Sequence, residues 1–335
     1  MVASRNVIRL RLVWAGVDTV TALLDGHHAR GAFLLRCVFD PPWSMRVQDR
    51  AAVTLVVVAA GTAWMVRAHD APLRLDAGDI VVVKGPEPYT LAHAPAASPT
   101  IVIDPDQRCR SLDGTDLAVA MHLGLRSWGN ATVGETVLLI GVYERATQLT
   151  GRLLAAMPPV IVLRSHEWDG PLVPVLCQEM NRDAPGQTAL LDRLVDLLMI
   201  SGLREWFARP ESDPPPWWRA QDDAVIGQAL NLMHTFPERG WSVGTIAREV
   251  GVSRATLARR FADLVGQTPM AYLTTWRLAI AADLLRGTDR TLASVATACG
   301  YANPFAFSVA FKRRYGLSPQ QFRNREVTDL HRATS

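Results

Sequence analysis

The chain has 335 residues, 49% of them hydrophobic and 20% charged, which is long enough for two domains and ordinary for a globular protein. It contains no uninterrupted apolar run of about 18 residues, so no membrane span is expected. The opening MVASRNVIRLRLVW lacks the long apolar core and small-residue cleavage site of a secretory signal. The four cysteines, at 37, 109, 177 and 299, form neither a disulfide ladder nor a CxxC metal knuckle, and a cytoplasmic location is expected. A net charge of +3 does not by itself imply nucleic acid, but the charge is uneven. From Asp222 onward 14 Lys/Arg stand against 9 Asp/Glu, and before it 21 stand against 23. A basic C-terminal part joined to a slightly acidic N-terminal part fits a nucleic-acid reader attached to a module of another kind.

From about Asp18 to His93 the chain reads as short strands. AFLLRCVF, AVTLVVVAAGTAWMV, LRLDAGDIVVV and PYTLAH are Val/Leu-rich and separated by Gly, Pro and Asp, which predicts a small barrel or sandwich. Asp104 to Asn130 is a loop-rich excursion, and ETVLLIGVYER is a strand returning to the barrel. LTGRLLAAMP predicts a short helical turn stopped by Pro158 and Pro159. Two helical patterns follow over about 171–208, broken at Pro185-Gly186. The second carries a broad apolar stripe of Leu190, Leu191, Leu194, Leu197 and Leu198, more apolar surface than covering one small barrel requires. ESDPPPWWR, at 211–219, reads as an extended, stiff spacer, and Asp222 to Phe236 as a helix buttressing the C-terminal units.

Trp241 to Phe322 contains one supersecondary unit twice. At an offset of 49, Ala247 and Gly251 fall on Ala296 and Gly300; at 50, Leu257, Phe261, Gly266 and Pro269 fall on Phe307, Phe311, Gly316 and Pro319. In each copy a short helix ends at a Gly able to take positive φ, and a second helix follows with apolar 3–4 spacing. That is the helix-turn-helix pattern, whose second helix enters the DNA major groove. Ser242 and Ser253 are placed as N-caps. Ile246, Val250, Leu257 and Phe261 are the expected core of the first unit, and Val295, Phe307, Phe311 and Tyr315 that of the second. Between the units, Met270 to Arg286 predicts a rod of roughly 26 Å. Such a rod suits two recognition helices about 34 Å apart, one turn of DNA.

GxSRxxLxRxFxxxxGxxPxxYLxxWRxxxAxxLL followed by GYxxxxxFxxAFKxxxGxSPxxFR resembles the AraC/XylS family of transcriptional regulators over about the last third of the chain. GTAWMV…LRLDAGDIVVVKGPEPYTL, with PPWSM before it, resembles the cupin-like sensing domain of such regulators. The resemblance implies an α+β chain in which a cupin-like β-barrel and a helical dimerisation segment precede an all-α domain with two helix-turn-helix motifs joined by a long helix. The expected bounds are 1–208 (barrel about 18–145), a Pro-rich linker at 209–220, the DNA-binding domain at 221–326 and a tail at 327–335. It further implies double-stranded promoter DNA, a small-molecule effector and a second copy of the chain as partners, with RNA polymerase added if the outcome is activation. The helix pair, through the five leucines named above, is where the family resemblance puts the homodimer contact.

On the outward face of the first recognition helix stand Arg254, Ala255, Ala258 and Arg259, with the two arginines as base readers and Arg260 directed to phosphate. Position 259 corresponds to a base-contacting position of the family. The second helix offers Asn303, Pro304, Ser308, Lys312 and Arg313, with Phe305 buried or DNA-facing, and is expected to add affinity more than discrimination. Thr268 and Ser318 begin helices whose backbone amides suit phosphate. In the barrel, Arg36, Trp43, Met45, Trp64 and Tyr89 are the expected effector pocket, with the arginine hinting at an anionic effector; plain core filling is the alternative for each aromatic. The eight histidines show no metal-ligand spacing, no nucleotide or hydrolase motif occurs, and no metal, cofactor or catalysis is expected. The residues leave two alternatives open: a redox switch at Cys109, whose arginine neighbours in QRCRS would lower a thiol pKa, and a ligand-sequestering or enzymatic barrel beside a vestigial DNA-binding domain.

Overall fold

The structure is a computed structural model that describes residues 33–124, 126–144, 148–167, 170–180, 182 and 184–325. Residues 18–32 of the expected barrel, the N-terminal opening and the 327–335 tail lie outside the described residues. The strands are Phe33–Phe39 (β1), Ser44–Val47 (β2), Val53–Ala60 (β3), Thr62–Val66 (β4), Leu73–Asp76 (β5), Ile80–Lys84 (β6) and Tyr89–Ala92 (β7). They continue with Ile101–Ile103 (β8), Cys109–Ser111 (β9), His122–Gly124 (β10), Ser127–Gly129 (β11), Thr136–Tyr143 (β12) and Val160–Leu163 (β13). One sheet runs β10-β11-β1-β12-β3-β6-β13 and the other β5-β4-β7-β2-β8-β9.

The Val-rich run of β3 is buried over its first six residues because it is covered on both faces, by the second sheet and by helices. The returning strand β12 sits centrally between β1 and β3, with Leu35 opposite Ile140 and Thr54 opposite Val142. β13, the short VIVL segment directly after the two prolines, has no counterpart in the sequence reading; it pairs antiparallel with β6.

Helix Gln148–Ala155 (α1) ends before Pro158, and Leu172–Met180 (α2) and Gln187–Ala208 (α3) follow. α3 lays Leu191, Leu194, Val195 and Leu198 into the same apolar cluster as Leu34, Leu55 and Leu139 of the sheet. The leucine stripe therefore divides. Leu191, Leu194 and Leu198 are buried inside the chain, whereas Leu190 and Leu197 remain 48% and 46% exposed. The Pro-rich segment departs from the extended spacer expected of it. Pro216–Arg219 (α4) and a 3-10 turn over Ala220–Asp222 fold it back, Trp217 is buried, and the Trp218 ring lies 4.7 Å from that of Phe207 at the end of α3. Two indoles bury enough apolar area to outweigh the extended preference of three prolines.

The C-terminal part comprises Ala224–Thr235 (α5), Val243–Glu249 (α6), Arg254–Val265 (α7), Pro269–Gly287 (α8), Leu292–Ala298 (α9), Pro304–Tyr315 (α10) and helical residues 319–325. Ser242 closes a capping box with Thr245, Ser253 caps α7 through the Thr256 N–H, and the backbone turns through positive φ at Gly251 (73°) and Gly300 (72°). At Gly300 the requirement is double. An added Cβ there would also lie 2.8 Å from the Pro237 carbonyl oxygen and 2.7 Å from the Arg277 guanidinium. Arg277 fills that space, donating to the Pro237 and Arg239 carbonyls at 2.7 and 2.6 Å and so tying α8 to the loop before the first unit.

One apolar cluster runs from the helix-covered face of the barrel through Trp217 to Phe261 and Trp276; a second gathers Leu278, Phe307, Phe311 and Phe322. Tyr315 is half-buried at the edge of the latter. In the first cluster, His234 of α5 is buried, its Nε2 2.9 Å from the Tyr272 hydroxyl and its ring 3.9 Å from that of Trp276. Burial, assisted by the nearby Arg152 charge, holds the imidazole well below its ordinary value of 6.5. Its folded-state pKa is thus depressed and the unfolded chain takes up the proton first, so His234 contributes fully above about pH 6.5 and loses its contribution as pH falls below it. Urea unfolding is expected to show lower stability at pH 5 than at pH 7.5 from this residue, with a His234→Gln variant losing that part of the slope.

Candidate nucleic-acid interface and barrel cavity

The two recognition helices are α7 and α10. Each hides its 3–4 apolar row, Leu257/Phe261 and Phe307/Phe311, with none of those four side chains exposed. The opposite face of α7 then carries Arg254, Ala255 and Arg259 exposed, with Ala258 half-buried between them. Arg260 has a different role from the one expected. It donates through Nε at 2.8 Å to Asp223, the residue that caps α5 by accepting the Val225 and Ile226 N–H groups. The carboxylate offers Arg260 a fixed partner inside the protein, so this side chain holds α5 against α7.

On α10, Lys312 and Arg313 are exposed and Ser308 is half-buried. Asn303, expected on the DNA face, uses its side-chain oxygen for capping, accepting the Ala306 N–H at 2.8 Å, and Pro304 occupies the first turn. Phe305 is not buried: it is 79% exposed, and Val309 one turn on is 54% exposed. The outer face of the second unit is thus apolar at its start and basic at its end, and that of the first is punctuated by two arginines. Thr268 caps α8 through the Ala271 N–H, and Ser318 accepts the Gln321 N–H.

Between the two sheets lies a cavity of about 230 Å³. Strand alternation explains its lining. Leu35 and Cys37 of β1, Met45 and Val47 of β2, and Ile140 and Val142 of β12 are inward rows at spacing two. Of the five residues named for the effector pocket, Met45 and Tyr89 line the cavity and Arg36, Trp43 and Trp64 do not. Arg36 falls between Leu35 and Cys37 and so points to the opposite face, where its charge is felt by Cys177 of α2. Trp64 sits between the buried Ala63 and Met65 on the other face of β4. Trp43 stacks on Phe39 with ring centroids 4.6 Å apart and fills the inter-sheet core. With Arg36 turned away, the lining among the described residues has no Lys or Arg, and its charged groups there are Asp49 and Glu144, the reverse of what an anionic effector requires.

Cys37 and Cys109 both line the cavity. The arginines flanking Cys109 do not lower its pKa, because Arg108 pairs with Asp106 at 2.9 Å and Arg110 with Asp104 at 3.4 Å. Burial first, then the Asp116 and Asp104 charges, push the Cys109 thiol up to about 11, and burial raises Cys37 as well. Both are thiols at neutral pH, which removes the low-pKa basis of a redox switch. Among the described residues the lining has no histidine and no three His, Cys, Asp or Glu side chains converge, so that donor set does not fit a cupin metal centre.

Comparison with known proteins agrees with both halves. Residues 18–208 match the family described as Cupin, and residues 246–325 the one described as Helix-turn-helix domain. A putative AraC-like transcription regulator of Streptomyces lividans is 31% identical over 315 residues, covering 91% of this chain and 96% of that protein. The HTH-type transcriptional regulator AlkR of Acinetobacter baylyi is 26% identical over 314 residues, covering 92% and 99%. Among solved structures, the DNA-binding domain of AdpA in complex with a target DNA is 30% identical, covering 33% of this chain and 91% of that one with a TM-score of 0.26. The chain belongs to the AraC family of DNA-binding transcriptional regulators, with a cupin domain ahead of the helix-turn-helix domain, and is not an enzyme.

Proposed function

We propose that a small organic effector occupies the barrel cavity and that its occupancy sets how strongly the two helix-turn-helix units hold promoter DNA. The course of β12 carries this reading. Its inward row, Ile140 and Val142, lines the cavity and ends at Glu144. Four residues on, the backbone N–H of Gln148 at the start of α1 donates to Asp283 Oδ1 of α8 at 2.8 Å. Further along α1, the Arg152 guanidinium lies 5.2 Å from the centroid of the Tyr272 ring of α8, with its Nη1 buried and, among the described residues, without a hydrogen-bond partner. From the barrel side, Lys84 of β6 donates to the Leu154 and Met157 carbonyls at 3.1 and 2.5 Å. α1 is therefore gripped between the barrel and the rod that spaces the two recognition helices. An effector that binds one placement of α1 better than another shifts the rod by that difference in affinity.

On the DNA side, Arg254 and Arg259 are the base readers of the first unit, each able to grip two acceptors of guanine, and Lys312 and Arg313 supply phosphate contacts from the second. Leu190 and Leu197, exposed two turns apart on α3, are the contact for a second copy of the chain.

Two measurements check this. In binding to a promoter-fragment library, Arg259→Ala is expected to lose about 1–3 kcal/mol of discrimination at one base pair while keeping salt-sensitive binding. Arg260→Ala should instead keep the same sequence preference and lose about 1 kcal/mol of folding stability. For the coupling, Ile140→Trp, which fills the cavity, is expected to change promoter affinity by about fivefold or more. The same change in an Asp283→Ala background should fall below about twofold, and additive effects of the two substitutions would remove the α1 route.

A further inference from the structure

Asp49 is buried, at 9% exposure, lines an apolar cavity and has no ion-pair partner among the described residues. Its carboxylate accepts the Ala51 N–H at 3.1 Å and a long contact from Gln107 Nε2 at 3.4 Å. Those fill two of about four acceptor positions of a carboxylate. Neighbouring Arg50 does not supply the missing charge, because the backbone turns through positive φ there (58°) and its side chain is exposed. Buried charges are as a rule paired, since an unpaired one loses its hydration without compensation.

The second carboxylate at this end is placed by the same strand arithmetic. Met45, Val47 and Asp49 continue the inward spacing of β2 by one step beyond its end, and Ile140, Val142 and Glu144 do the same beyond β12. The two strand ends are brought together around Ala51 and Ala52, whose N–H groups bond to Asp49 Oδ1 and, at 3.0 and 3.3 Å, to the carbonyls of Tyr143 and Glu144. Among the described residues, the other polar groups of the lining are neutral: Gln107, the Thr54 hydroxyl and the Tyr89 phenol. Burial and the Asp49 charge keep that phenol protonated, against the opposing bond with Thr54, so it is a hydrogen-bond donor or acceptor and not a charge. The remaining lining among the described residues is apolar or a thiol.

We infer that the cavity takes a small organic cation, a primary or secondary ammonium on an apolar body, with the nitrogen held by Asp49 and the rim carboxylate of Glu144. The inference rests on the barrel being the effector site and adds the charge and size of its occupant. A primary ammonium has three hydrogens and a secondary one two, for which the lining offers the Asp49 oxygens, the Glu144 carboxylate and the Gln107 or Tyr89 oxygen as acceptors, and the apolar body replaces water against Leu35, Val47, Ile103 and Val142. At about 230 Å³ the space lies below the roughly 300–1,000 Å³ of drug-sized pockets, which restricts the body to a short alkyl chain or one ring.

The test uses the full chain and three matched probe sets at pH 7: n-butylamine to n-octylamine with benzylamine, the corresponding alcohols, and the corresponding carboxylates, read by calorimetry and by thermal shift. Amines are expected to bind, with an optimum at intermediate chain length, and at least tenfold more tightly than either matched set. Asp49→Asn keeps an oxygen for the Ala51 N–H and is expected to weaken amine binding by tenfold or more without improving carboxylates. Glu144→Gln, at an exposed position that does not threaten folding, is expected to weaken it by a smaller factor. Alcohols or carboxylates binding as well as amines would overturn the cation and leave the barrel as an effector site. Amine binding unchanged in both variants would overturn the placement, and no binding by any of the three sets would overturn the inference outright. The Ile140→Trp and Asp283→Ala cycle judges the effector reading itself without any ligand.

Discussion

The arrangement depends on one segment belonging to two neighbourhoods at once. β12 is hydrogen-bonded on both edges, to β1 and to β3, so its register is set by the sheet and cannot slip without turning its inward row outward. The helix that comes after it is α1, and its Gln148 N–H donates to the other half of the molecule, to Asp283 of the rod. Lys84 fixes the last turn of α1 to the barrel, and Arg152 lies among Tyr272 and His234 on the far side. Arg152 is half-buried there, and its buried Nη1 has no hydrogen-bond partner among the described residues, a contact that costs free energy to hold. The cavity and the rod are thus joined through the bonds of α1, beside the apolar cluster that runs from the barrel through Trp217 to Phe261 and Trp276.

The two DNA-reading units are built on the same devices and differ where they meet solvent. Both have side-chain N-caps, glycine turns in the left-handed region and an aromatic-aliphatic core, and α8 holds them apart as a single helix of 19 residues, about 28 Å long. The first unit presents two arginines around small alanines, an arrangement that leaves room for long side chains to reach base edges. The second presents Phe305 and Val309 before its basic end, a surface suited to methyl groups and sugar edges more than to hydrogen-bond readout.

Much of this was legible in the residues, and the parts that were not have identifiable causes. The doubled unit is visible because each copy needs the same Gly, the same 3–4 apolar row and the same cap. The strands are visible because Val and Leu runs end at Gly, Pro and Asp. β13 is hidden because four residues after two prolines have no periodicity to read. The tryptophans after Pro214-Pro215-Pro216 show a local preference overruled by burial. Residue type alone misplaces Arg36; alternation along β1, with Leu35 and Cys37 inward, puts it on the other face. The same alternation, extended one step past β2 and β12, points to Asp49 and Glu144, so the acidic end of the cavity is encoded in the strand spacing. The Cys109 environment was beyond reach, because Asp104 and Asp106 engage the flanking arginines through a turn whose geometry no spacing reveals.

The connection between cavity and rod is tested most directly by amide hydrogen exchange on the full chain, comparing the wild type with the cavity-filled Ile140→Trp form. If β12 and α1 link the two halves, protection changes in Gln148–Ala155 and in Pro269–Gly287 together with the barrel strands. A change confined to the barrel, with the rod amides exchanging as in the wild type, would contradict the link.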